Sequence, residues 1–219
     1  MKYTKVAKQN ERRQRGGAAE TTGRMGAGGV VVHPGWLLAA SAALQIVGGL
    51  GIEAWKVAIE EGVRADDLVS PAVIAGRYQM WALAGELLLV VESLILLAAV
   101  GAMLRSAVSW ATLSALAALL VVLLGVGAGH FVEAAAAWEM LGPVISLAYL
   151  VGLTTGGFDV AWRTGSRGFA LGMLVVGGVA VVCMATEWAT VGQMASFAAA
   201  SLALAVGVMA GRRGQDSAG

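Results

Sequence analysis

The sequence predicts an all-α, polytopic integral membrane protein, a bundle of six transmembrane helices with N- and C-termini cytoplasmic. Three observations carry this. The 219-residue chain is 58% hydrophobic and 13% charged, about half the charged share of a soluble domain. It holds six apolar runs, each long enough to cross a hydrocarbon core of about 30 Å at about 1.5 Å per residue. Its basic residues gather on alternate sides of those runs, as the positive-inside rule requires.

Residues 1–35 stand apart from the rest. Lys2, Lys5, Lys8, Arg12, Arg13, Arg15 and Arg24 alternate with Gly, Ala and Gln, and no helical or strand period appears. The segment reads as a disordered basic cytoplasmic tail. It reads either as an orientation signal and nothing more, or as a segment that also meets anionic lipid headgroups, at about 1 kcal/mol per basic residue near the surface. A signal peptide is excluded because a full-length span follows a long polar stretch. The tail has no Ser and carries Glu11 and Glu20, which argues against a mitochondrial transit peptide. The expected location is therefore the cell (inner) membrane, with the mitochondrial inner membrane as the weaker alternative.

A transmembrane domain follows over 36–211, then a short cytoplasmic tail over 212–219. The spans are predicted at 36–55, 79–104, 107–129, 143–162, 168–185 and 189–210, the fifth being near the short limit. Trp36, Trp55, Trp81, Trp110, Trp162 and Trp188 fall at or beside span ends, where an amphipathic indole bridges headgroups and acyl chains. Trp138 lies in the connection between the third and fourth spans. With the N-terminus inside, twelve basic residues face the cytoplasm, among them Arg105, Arg163, Arg167, Arg212 and Arg213. Three, Lys56, Arg64 and Arg77, face out. The short inner connections make the flanking helices antiparallel neighbours. The outer link over 53–78 is longer and acidic, and reads as a surface-lying element. Within it, Ser70 and Pro71 are predicted as N-cap and first helical residue of the second helix.

Inside the spans a handful of polar residues stand out: Gln45 in the first, Glu86 and Glu92 in the second, Thr154 and Thr155 in the fourth, Gln193, Ser196 and Ser201 in the sixth. Glu92, Gln45 and Thr154 share a level near mid-membrane. An ionised carboxylate at that depth costs on the order of 3 kcal/mol, so Glu92 must face the protein interior, a watery cavity or a partner chain. No Lys or Arg lies at its depth. The expectation is a substrate or proton site built on Glu92, with Gln45 and Thr154 as neighbours. The bland alternative is a neutral acid hydrogen-bonded to Gln45, Ser93 or a backbone carbonyl. Glu86 lies about 7.5 Å below Trp81 and about 120° round the helix from Glu92.

His130 and Glu133 at the outer end of the third span are spaced as helical metal ligands are, with Glu86 or Glu139 as a third candidate. Two ligands do not make a metal site, and no cofactor or metal is expected. His33 and His130 fall on opposite sides, which excludes a bis-His haem within the chain. Cys183 is the sole cysteine, so no intrachain disulfide forms. Gly125/Gly129, Gly152/Gly156, Gly168/Gly172 and Gly207/Gly211 have the GxxxG spacing, about as many pairs as 31 glycines produce by chance.

Two functions remain in view: transport of a small solute or ion, proton-linked through Glu92, or an accessory or structural subunit of a larger membrane complex. The two halves, 36–129 and 143–210, show no repeat, and no acid in the fifth span answers Glu92, which weakens a two-repeat transporter plan. Other membrane subunits or a second copy are the expected protein partners, and nucleic acid is not. No nucleophile elbow or phosphate loop is present, so an enzyme is not expected.

Overall fold

The computed structural model describes residues 33–65, 70–131, 135–186 and 189–216. These form six helices: α1 (Pro34–Ala65), α2 (Pro71–Ser106), α3 (Trp110–Phe131), α4 (Ala135–Arg163), α5 (Arg167–Met184) and α6 (Ala189–Asp216). Among the described residues there is no strand. All six helices hold stretches long and apolar enough to cross a membrane, and the protein is a multi-pass membrane protein. At about 1.5 Å per residue, the 18 residues of α5 reach about 27 Å and the 36 of α2 about 54 Å.

The helix ends differ from the predicted spans for local reasons. α1 starts at Pro34, whose missing N–H is no loss in a first turn; the His33 Nδ1 accepts the Gly35 N–H at 3.1 Å and caps it. It continues past Trp55 to Ala65 through Glu- and Ala-rich sequence, so the expected surface element is the upper part of a long α1–α2 hairpin. The Trp81 Nε1 donates to the Ile52 carbonyl at 2.9 Å, and the Lys56 ammonium lies 5.7 Å from the Trp81 ring centre, holding the two helices together there. Pro71 opens α2 as predicted, whereas Ser70 caps through its carbonyl and not its hydroxyl. Ala107 closes α2 rather than opening α3. Pro143 lies inside α4, a position membrane helices tolerate, and does not start it. α6 runs to Asp216, so Arg212 and Arg213 are helical and not part of a tail. The basic tail itself, apart from 33–35, lies outside the described residues.

One end of the bundle carries His33, Ser106, Arg163 and Arg213, and is called the terminal end. The other is the far end. α4 is the centre. It packs on α1, α2, α3, α5 and α6, and 78% of its spanning window is buried against at most 39% in any other helix. On α3 the stripe Ala111, Ala115, Leu119 and Val122 repeats every three to four residues and is fully buried. Leu119 lies over Gly152 of α4, where an added Cβ would meet its side chain at 3.2 Å. Leu113, Leu120 and Leu124 point the other way and stay exposed, the face a bilayer covers.

α1 and α6 approach still more closely. A Cβ at Gly207 would meet the Ala39 nitrogen and Gly35 oxygen at 2.6 Å, and one at Gly211 would meet the Trp36 ring at 2.5 Å. The Gly207/Gly211 spacing thus has a structural use that its chance frequency hid. α4 ends in a Schellman turn: the Ser166 N–H donates to the Ala161 carbonyl at 2.9 Å and the Gly165 N–H to the Trp162 carbonyl at 3.1 Å. Gly165 supplies the required positive φ of 74°.

Candidate functional site

Helical periodicity assembles a cavity of about 310 Å³ in the far half of the bundle. Gln45, Gly49, Ile52 and Glu53 recur at three- and four-residue steps on α1, and Gly85, Leu88, Leu89 and Glu92 do the same on α2. α4 adds Ser146, Tyr149 and Leu150, α5 adds Met184, and α6 adds Gln193, Ser196 and Phe197. Glu53 and Gln193 are exposed and mark the rim at the far end. Toward the terminal end the bundle closes, since Leu38, Leu96, Val100 and Leu153 are fully buried. Leu88 and Ile52 also line an apolar groove of about 390 Å³ between α1 and α2, so they form a shared wall.

Glu92 sits at the closed end of the cavity and is 3% exposed. The Ser41 hydroxyl donates to the Glu92 backbone carbonyl at 3.1 Å. Ser41 Oγ and the Tyr149 hydroxyl lie 3.3 Å apart, and either can donate to the other. The Tyr149 hydroxyl and the Glu92 carboxyl interact in turn. A hydroxyl both donates and accepts, so with its own proton on Ser41 Tyr149 can accept from a protonated Glu92. When Glu92 is ionised the phenol can rotate that proton toward the carboxylate, so Tyr149 serves either form of the acid. Glu92 Oε1 and Gln45 Oε1 are buried with no hydrogen-bond partner, although both residues line the cavity. Trp36 Nε1, Ser93 Oγ and Thr154 Oγ1 are likewise buried without a partner, but among these atoms only the Glu92 and Gln45 oxygens belong to residues that line the cavity, where a ligand or water can reach them.

Of the polar residues singled out from sequence, Gln45, Glu92, Gln193 and Ser196 line the same cavity. Thr154 does not: it is on α4 at a similar depth but packs on Gly177 of α5, a Cβ there being blocked by the Thr154 side chain, and it lines no part of the cavity. Equal depth did not imply a shared face. Glu86 is half-buried and lies outside the cavity wall. The His130 side chain, Glu133 and the Glu139 side chain lie outside the described residues, and no group of three metal-ligating side chains occurs among the described ones.

Tyr149 and Ser41, which contact Glu92, were not singled out from sequence. A Tyr or Ser in an apolar run carries little hydropathic signal, and only their faces reveal them. A second omission is Asp159, which is 3% exposed at the terminal end of α4. Its Oδ1 accepts from Ser109 Oγ at 2.9 Å, and its Oδ2 accepts from Thr112 Oγ1 at 2.6 Å and Arg163 Nε at 2.9 Å. Arg163 also donates to Ser106 Oγ at 2.8 Å and to the Ala107 carbonyl at 2.7 Å. The cluster thus pins the end of α2 and the start of α3 to α4. Here a signal existed, because Asp159 and Arg163 have the i, i+4 spacing of a helical ion pair.

Compared with protein-family models, with curated proteins and with solved structures, the chain matches none.

Proposed function

We propose that this membrane protein transports a small solute or ion, linked to proton movement, with Glu92 as the group that exchanges the proton. The observation that carries the reading is the buried carboxylate whose Oε1 has no partner and which closes a cavity rimmed by exposed residues. An acid kept as helix glue would satisfy both oxygens within the protein. Tyr149 supports proton exchange because its hydroxyl can accept from the neutral acid and donate to the ionised one. The excess of basic residues on the terminal end supports an arrangement with the cavity open to the outside of the cell (inner) membrane, and the basic tail against anionic lipid.

The test is reconstitution of the purified protein in liposomes under an imposed pH gradient, with accumulated small molecules identified by mass spectrometry. Wild type accumulates a solute and Glu92→Gln does not, although it reconstitutes equally well. If wild type consistently purifies with other chains and accumulates nothing alone, the protein is instead a subunit of a larger complex.

A further inference from the structure

We infer that the cavity binds an organic monocation, an amine or quaternary ammonium with an apolar body, which displaces the Glu92 proton as it enters. The inference rests on the cavity reading above and adds the chemical class of its ligand. Charge decides first. The ionisable acids along the wall are Glu92 at its closed end and Glu53 at its rim, and among the described residues no Lys, Arg or His lines it. An anion would have to pass the Glu53 carboxylate and enter a site with no positive group to balance its charge, which disfavours it.

Size and surface then separate an organic cation from a metal ion. At about 30 Å³ each, the cavity holds about ten non-hydrogen atoms, far more than one ion needs. A hard metal cation requires about six converging oxygen ligands; among the described residues no three His, Cys, Asp or Glu side chains come together, and the hydroxyls and amides of the wall are interleaved with Leu88, Leu89, Leu150 and Phe197. Those walls suit hydrocarbon, and the Phe197 ring adds a face that attracts ammonium groups. The ring itself is seated over Gly49, where an added Cβ would meet it at 3.3 Å. Gln45 Oε1, unpartnered in the protein, accepts from an N–H where the cation has one.

Proton exchange follows from the single carboxyl. Protonated Glu92 plus a cation gives the carboxylate–cation pair plus one released proton, and the net charge of the site is unchanged. The groups facing Glu92 are consistent with this. α4 presents the Tyr149 hydroxyl, α1 presents neutral Gln45 and Ser41 with Glu53 at the rim, and α3 carries no charged side chain from Trp110 to Gly129. No fixed positive charge competes with the ligand.

Isothermal titration of the purified full chain tests this with benzyltrimethylammonium, set against two probes of matching size, anionic benzylsulfonate and neutral 4-phenylbutan-2-ol, and against sodium and calcium ions. The ammonium probe binds about tenfold or more tightly than either organic control. Its binding weakens from about pH 8.5 to about pH 5.5, and the protons released per cation rise toward about one at the low end of that range. Glu92→Gln loses that binding while keeping the wild-type melting temperature. Equal binding of the three organic probes, preference for a metal ion, or binding at about pH 5.5 without proton release overturns the inference, and the comparison of probes on wild type stands even if the variant does not fold. Glu92-dependent cation binding without flux in liposomes would retain the ligand class and refute transport. Glu92-dependent flux of a neutral or anionic solute would do the reverse.

Discussion

Glu92 and Asp159 are both acids in apolar helices, and each is 3% exposed. Their surroundings are opposite. Asp159 receives donors on both oxygens, from Ser109, Thr112 and Arg163, and so ties three helices into the closed terminal end. Glu92 has one oxygen without a partner, no basic residue beside it, and open space in front. A buried carboxylate is therefore not a functional site by virtue of burial. What separates the two is hydrogen-bonding capacity, which Asp159 spends within the protein and Glu92 keeps.

The largest effect is expected where that capacity is spent. Asp159→Ala leaves Arg163 without its acid and two hydroxyls without an acceptor, and should lower stability by about 3 kcal/mol, read by thermal unfolding in detergent. If Asp159→Ala were as stable as wild type while Glu92→Gln unfolded, the two roles would have to be exchanged. Next comes the tightly packed α1–α6 contact. Gly207→Ala puts a methyl against backbone atoms that cannot swing aside, at a cost of about 2 kcal/mol. Gly51→Ala on the far half of α1 meets open space and should be neutral or stabilising by about 0.5 kcal/mol. A similar loss at both positions would refute the contrast between a closed and an open half.

Losses of stability smaller than those at Asp159 and Gly207 should come from the cavity itself, where ligand binding is the larger readout. Tyr149→Phe removes the hydroxyl between Ser41 and Glu92, and should cost about 1 kcal/mol. It should also shift the pH dependence of ammonium binding, which a purely structural hydroxyl would leave in place. Titration of the variant over the same pH range as wild type checks this.

Much of the architecture was legible because hydrophobic length is a local property of the chain. Six runs able to cross a bilayer, aromatic residues near their ends and the isolated acid at mid-depth all follow from position along the sequence. Helix ends were less legible, since α1 and α2 extend beyond the apolar stretch on polar residues that favour helix. Within the site, Glu92 and Gln45 could be named because strongly polar groups are conspicuous in apolar sequence. Tyr149 and Ser41 could not, because their importance lies in what they touch. Thr154 was wrongly grouped with Glu92 since depth gives one coordinate and rotation about the helix axis gives the other.

The sequence by itself determined that this chain must span a membrane, and that Glu92 could not be left facing lipid, since both follow from the cost of exposing polar groups to hydrocarbon. Only the tertiary structure decided which faces meet. It set Gln45 and Tyr149 around Glu92, sent Thr154 to the α5 contact, and gave Asp159 a full set of donors. The physical reason is that helix packing is fixed by side-chain fit between segments distant in sequence, and hydropathy carries no record of that fit.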